Sequence, residues 1–203
     1  MLDKLFKFVQ QTCSKYSIDE SHGLSHSIQV YRYCIKIYNQ VLKSNPQIEE
    51  LVQVITCACI LHDMCDYKYM DEKVGVERIV GLLSELGLNQ THINLIVQII
   101  TTMSYTKIKA HGFPTFDSPT SALAFNIVRE ADLLAAYDFD RSVVYAMECK
   151  GVTWEEANKE TYIYFKSRVL TQISDGLFTI ESALEIALDL DQLARVKLAQ
   201  INL

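Results

Sequence analysis

Residues 51–63 read LVQVITCACILHD, an apolar run that ends in the adjacent pair His62 and Asp63. The run shows no alternation of polar and apolar residues, so it predicts a buried helix rather than a half-buried strand. A titratable side chain on an apolar helix face is costly unless a partner satisfies it. The pair therefore marks a candidate site at the end of a core helix.

Two further polar residues interrupt apolar helix faces on either side of this run. His26 lies upstream, on one face with Val30, Cys34 and Ile37, and Asp132 lies downstream, in READLL at residues 129–134. Helical spacing predicts that three core-facing helices each present an imidazole or a carboxylate inward. A shared metal ion would satisfy His26, His62, Asp63 and Asp132 together.

The remaining sequence is typical of an all-helical protein. Gly and Pro are sparse, and helical patterns fall at 2–17, 22–43, 47–64, 72–86, 90–104, 119–137, 139–150, 154–171 and 176–200. Ser118-Pro119 and the capping box that begins at Thr153 predict helix starts, and Gly87 and Gly151 predict helix ends. Two loops are expected, at 65–71 and 105–118. We predict an all-α bundle of about eight helices.

Bulk composition favours one domain over residues 1–203, and the helices at 150–203 are expected to complete its core. Of the 203 residues, 49% are hydrophobic, and the formal net charge is −6. An acidic chain offers no broad basic surface for duplex nucleic acid. No apolar run is long enough to span a bilayer, and no leader pattern opens the chain, so we expect a cytoplasmic protein without membrane contact.

The six cysteines, none in a CxxC pair, are expected to be reduced core residues. They are Cys13, Cys34, Cys57, Cys59, Cys65 and Cys149. A zinc site built from Cys57, Cys59 and Cys65 is the sharper alternative.

Two imidazoles and two carboxylates suit a divalent ion such as Mn²⁺, Fe²⁺, Co²⁺, Ni²⁺ or Mg²⁺. Four protein ligands leave two positions of an octahedral site open, one for a water and one for a phosphoryl oxygen. Asp63 projects about 100° around a helix from His62, so both can bind one ion only near a helix end. This set of ligands and open coordination positions indicates metal-assisted hydrolysis.

The ordered ligand set resembles the HD-domain phosphohydrolases, all-helical metal-dependent hydrolases of nucleotides and other phosphate esters. The phrase HGLSHSIQVYR at 22–32 and ADLL at 131–134 are similar to the small single-domain branch, which includes nucleoside-triphosphate pyrophosphatases. The likeness covers roughly residues 20–145, taken as the metal-site core. It implies metal roles for His26, His62, Asp63 and Asp132, and it implies that Asp66 activates the attacking water. Met103 stands where relatives often carry a histidine, which leaves a second metal without that ligand.

Candidate substrate contacts come from the basic residues in or next to the two predicted loops and from His22, one turn before His26. They are His22, Lys68, Lys73, Lys107, Lys109 and His111. In an acidic protein such residues would hold phosphate if both loops face the metal. The alternative is that they are ordinary solvated surface. For Asp132, the alternative is an ion pair with Arg129, one turn earlier.

We therefore predict a phosphohydrolase that uses one divalent metal on a nucleotide or similar small phosphate ester, acting as a monomer or homodimer, with Asp63 and Asp66 as its catalytic carboxylates. Two other functions stay open. One is a nucleotide-binding sensor without turnover, and the other is a di-iron oxygenase of the same architecture, which would need additional histidines.

Overall fold

The computed structural model describes residues 1–201, so the last two residues of the predicted domain, 202 and 203, lie outside the described part. Within that part the chain is helical and the predicted all-α class is confirmed, with ten α-helices instead of about eight. They are α1 Leu2–Tyr16, α2 Leu24–Ser44, α3 Val52–Leu61, α4 Glu72–Glu85, α5 Gln90–Thr102, α6 Tyr105–His111, α7 Pro119–Ala135, α8 Phe139–Lys150, α9 Trp154–Tyr164 and α10 Glu181–Ala199. A 3-10 turn, Pro46–Leu51, precedes α3, and a π-helical turn, Phe165–Val169, follows α9.

The helix starts and ends predicted from these residues are confirmed. The Ser118 side chain accepts a hydrogen bond from the Ser121 amide, with Pro119 at the first helical position. Thr153 closes a capping box with Glu156 at the start of α9. Gly87 and Gly151 have φ of 80° and 66°, left-handed values that glycine adopts without a Cβ clash.

The predicted loop at 105–118 is partly wrong, because α6 occupies its first seven residues. Ser104 caps this helix by accepting a hydrogen bond from the Lys107 amide, and Ile108 is the one residue of α6 that is buried. A two-turn helix with a single core residue leaves no periodicity to detect. α6 therefore forms only where the rest of the fold supports it.

The predicted helix at 22–43 begins two residues late, at Leu24, with Gly23 as its N-cap. A Cβ at Gly23 would lie 3.1 Å from the Asp19 carbonyl oxygen, so the chain turns closely here. His22 consequently lies in the turn before α2 and not on the helix face shared with His26.

The hydrophobic core surrounds α3, whose residues 54–61 are all buried. This helix packs against α2, α5 and α7, and α2 packs along α7. Full burial of side chains such as Ile55 or Leu61 stabilises the fold by about 1.5–3 kcal/mol each. Because α2, α3 and α7 are mutual neighbours, polar residues placed on them at the same level meet at one point.

Across residues 1–201, no helix combines the length and the apolar character that crossing a bilayer requires.

Candidate metal centre

The four predicted metal ligands come from three neighbouring helices and converge. His26 lies in the first turn of α2, His62 caps the end of α3, Asp63 follows it, and Asp132 lies in the last turn of α7. The two imidazole Nε2 atoms are 3.1 Å apart. Asp63 Oδ2 lies 3.3 Å from His26 Nε2 and 3.1 Å from His62 Nε2. Asp132 Oδ1 lies 3.3 Å and 3.6 Å from the same two atoms.

These separations match the spacing of ligand atoms around one ion. Bonds of about 2.1 Å put neighbouring ligand atoms about 3.0 Å apart in an octahedral site and about 3.4 Å apart in a tetrahedral one. His26, His62 and Asp132 form a group whose ligand atoms all lie within 4.8 Å of one another, and this group could hold a metal ion.

Asp63 is not a member of that mutually close group, yet its Oδ2 atom points at both imidazoles. The atom is buried and has no hydrogen-bond partner among the described residues. A buried carboxylate oxygen without a partner is costly. A cation between the four side chains would satisfy it, so the residues present fit a divalent ion.

The surroundings of the imidazoles hold their rings in place. His62 Nδ1 is 2.9 Å from the Cys59 carbonyl oxygen, so Nδ1 donates its proton there and Nε2 is left to bind a metal. His26 Nδ1 is 3.1 Å from Arg141 Nη1. Arg141 is itself fastened by hydrogen bonds that its guanidinium donates to the carbonyl oxygens of Ser21 and Ala135.

The electrostatics of the cluster favour ionised carboxylates. Burial raises the pKa of Asp63 and Asp132, but the nearby imidazoles of His62 and His26 outweigh burial and hold both pKa values well below the usual range. For His62, burial lowers the pKa, but Asp63 and Asp132 raise it well above its usual value. Without a cation, a proton on His62 therefore balances part of the carboxylate charge.

The centre borders a cavity of about 360 Å³. Four of the six predicted substrate contacts line this cavity, namely His22, Lys68, Lys107 and His111. Lys73 and Lys109 are not among the lining residues. Both are exposed, and Lys109 pairs instead with Asp175 at 3.3 Å.

Both lysines that line the cavity have protein partners of their own. Lys107 Nζ donates to Glu72 Oε1 at 2.6 Å and to the Thr101 carbonyl oxygen at 2.7 Å. Lys68 Nζ lies 3.7 Å from Asp66 Oδ2, and about half of the Lys68 side chain is exposed. Lys68 is therefore the more exposed and the less closely paired of the two lysines.

Asp66 and His22 also border the cavity, through well-defined turns. Asp66 Oδ1 accepts a hydrogen bond from the Lys68 amide, which is the loop-capping role that competes with its predicted catalytic one. His22 Nδ1 lies 2.7 Å from Ser21 Oγ and 3.0 Å from the Tyr69 hydroxyl. Both hydroxyls also donate to the Asp19 carboxylate, so one acidic residue organises this turn.

Within residues 1–201, the contacts of Arg129 and of the cysteines differ from the two alternatives given above, an ion pair with Asp132 and a cysteine zinc site. Arg129 pairs with its neighbour Glu130 at 3.1 Å rather than with Asp132. All six cysteines are free, and no cysteine belongs to the one potential metal-binding group found within residues 1–201. Met103 is buried and lines the cavity.

Several residues that line the cavity are not predicted from the sequence, chiefly Arg141, Arg168 and Gln172. Arg141 lies in the first turn of α8, Arg168 lies in the π-helical turn, and Gln172 lies just beyond it. Each is a polar residue within a helical pattern, where polar residues are ordinary, so no local signal separates them from solvated surface.

The chain thus has an all-helical fold with a His/Asp centre beside an open cavity. The sequence matches no protein-family model and no curated protein. Solved structures do match. Bacillus subtilis YpgQ in complex with ADP has a TM-score of 0.71 at 20% identity, over 98% of this chain and 95% of that one. A Lactobacillus plantarum protein has a TM-score of 0.71 at 17% identity, over 98% and 93% of the two chains. At these identities the likeness establishes the fold.

Proposed function

We propose that this protein is a metal-dependent phosphohydrolase acting on a nucleotide or a similar small phosphate ester. The observation that carries the proposal is the convergence of two imidazole nitrogens and two carboxylate oxygens, one of them the unpartnered Asp63 Oδ2, at the edge of an accessible cavity. His26, His62, Asp63 and Asp132 would hold the ion. When bound, a divalent ion lowers the pKa of a coordinated water and polarises a phosphoryl oxygen.

The chain's own residues supply the rest of the chemistry. The Asp63 carboxylate orients the attacking water, and the Asp66 carboxylate, which also borders the cavity, accepts its proton. Lys68 and Arg168 line the cavity with positive charge suited to phosphate oxygens. Arg141 donates to two backbone carbonyls and lies beside the His26 ring.

A nucleotide is favoured as the substrate class for two reasons. The cavity volume of about 360 Å³ lies within the range of small-molecule sites, and aromatic and polar side chains line it together with the basic ones. In addition, YpgQ, which shares the fold, was crystallised with ADP.

The test is a hydrolysis screen of nucleoside mono-, di- and triphosphates with Mn²⁺, Co²⁺, Ni²⁺ or Mg²⁺, measuring orthophosphate and pyrophosphate separately. We expect turnover that requires metal and falls at least about 100-fold in Asp63→Asn, because both metal and water lose a carboxylate. Lys73→Gln, outside the cavity, is the matched control and should keep full activity. Full activity in Asp63→Asn, or no turnover with metal bound, would overturn the proposal.

A further inference from the structure

The segment after α9 builds one wall of the cavity. The Leu170 amide donates to the Phe165 carbonyl oxygen at 2.9 Å, a hydrogen bond five residues back that defines the π-helical turn. Three residues spaced by four, Tyr164, Arg168 and Gln172, line the cavity from this segment. Single π-helical turns of this kind are frequent at functional sites.

Gln172 is the residue of this wall whose side chain has a buried polar atom without a hydrogen-bond partner within the described protein. It is 1% exposed, and its Oε1 is buried with no hydrogen-bond partner among residues 1–201. Two other cavity-lining residues have such an atom, Asp63 and Arg141. A cation would satisfy Asp63, and Arg141 donates through its other two nitrogens. Only Gln172 stays unmatched, and a buried amide oxygen without a donor is costly.

The chemistry of Gln172 limits what ligand can match it. Its unmatched atom is an acceptor, so the ligand must offer an N–H or O–H donor, which a fully ionised phosphate does not have. The amide presents a donor and an acceptor side by side, and this pattern complements the edges of heterocyclic bases. Beside it, the Arg168 guanidinium lies 4.2 Å from the centroid of the Tyr105 ring, which gives the wall a planar, positively charged surface.

We propose that Gln172 is a specificity-determining residue that hydrogen-bonds the base of a nucleoside phosphate whose phosphate lies toward the metal centre. This inference rests on the proposed function and specifies its substrate as one that carries a base. Arg168, four residues earlier, flanks the base or its nearest phosphate. The C-terminal segment thus belongs to the substrate site in addition to closing the core.

The test variant is Gln172→Met, which keeps an unbranched side chain of similar length and removes both hydrogen-bonding groups. We expect kcat/KM for the adenine, guanine, cytosine and uracil nucleotides to change unequally, falling about tenfold or more for the preferred base. Inhibition by inorganic tripolyphosphate and by ribose 5-phosphate should be unchanged. The melting temperature should stay equal or rise, because the variant removes an unmatched polar group. Lys166→Met, on the same turn but exposed and outside the cavity, is the matched control and should match wild type throughout.

Three kinetic results would overturn the proposal. Nucleotide kinetics equal to wild type would remove the contact. If Gln172→Met also weakened inhibition by tripolyphosphate, the substitution would have a general effect on the site. If it also weakened inhibition by ribose 5-phosphate, Gln172 would contact the sugar and not the base. If wild type hydrolyses nothing, the proposed function fails, and calorimetric titration with Mn²⁺ and ADP decides the inference. Equal ADP affinity in wild type and Gln172→Met, or no binding by either, then overturns it.

Discussion

Asp132→Asn tests the metal centre most directly, because it removes one ligand charge while conserving shape. At a metal concentration about 100 times Kd, binding to the native state stabilises it by about 2.7 kcal/mol. For a chain of this length each kcal/mol raises Tm by about 2–4 °C, so the wild-type increment should be roughly 5–11 °C. Loss of an outer contact to a metal ligand already weakens binding about 10–100-fold, and loss of a ligand charge should weaken it at least about 100-fold.

At the same metal concentration, the Asp132→Asn variant would then be only about half saturated. The stabilisation falls to about 0.4 kcal/mol, an increment of roughly 1–2 °C. The assay is thermal unfolding of each protein with and without Mn²⁺, and the quantity compared is the metal-induced increment, because the substitution also changes the metal-free protein. Glu72→Gln, a carboxylate that lines the cavity but pairs with Lys107, is the control and should keep the full increment. An undiminished increment in Asp132→Asn would refute the assignment.

Three further predictions concern protons and the support of the site. Because the pKa of His62 is raised, metal binding at a pH below that pKa displaces a proton from His62, and the apparent metal affinity should weaken about tenfold for each unit by which pH falls. Calorimetry of metal binding in buffers of different ionisation enthalpy should show the released proton. Metal binding without proton release would contradict this prediction. Burial raises the pKa of Asp19, but hydrogen bonds from His22 and its neighbours outweigh burial and lower it. Its contribution to stability is therefore fully present above its ordinary pKa near 3.8, and it is lost progressively as pH falls from there through the lowered pKa of the folded state. Asp19→Asn should cost about 1–3 kcal/mol at pH 7 and less at pH 3, where the carboxyl of the unfolded state is already mostly protonated; the cost is measured by urea unfolding, and one that does not decrease at all would contradict the role. Glu130→Ala should destabilise by about 3–5 kcal/mol, because it leaves Arg129 buried without a counter-charge and frees Thr179; a loss under 1 kcal/mol would show that water replaces the pair.

The candidate ligands could be predicted from the sequence because three of them interrupt apolar helical patterns. His26, His62 and Asp132 stand at positions where helical spacing calls for core residues, and a polar group there needs a partner. The condition that Asp63 joins His62 only near a helix end also holds, since α3 ends at Leu61. Patterns of period 3.6 over long helices survive without tertiary information.

Short or irregular elements could not be predicted from the sequence. The helix α6 has seven residues and one buried side chain, and the π-helical turn interrupts a pattern that predicts one helix over 154–171. Lys73 and Lys109 carry the same charge in sequence as Lys68 and Lys107, but only the latter two line the cavity. Which side of a loop faces a cavity depends on packing, not on residue type.

The sequence by itself determined the helical class and the residues able to ligate a metal, because burial periodicity and side-chain chemistry are local properties. Tertiary structure alone decided that atoms 36 residues apart in the chain, His26 Nε2 and His62 Nε2, lie 3.1 Å apart. It also decided that Arg141, Arg168 and Gln172 face the same cavity. Those placements follow from how α2, α3 and α7 pack and from where the π-helical turn directs the C-terminal segment, and helix packing is a property of whole surfaces that no single segment encodes.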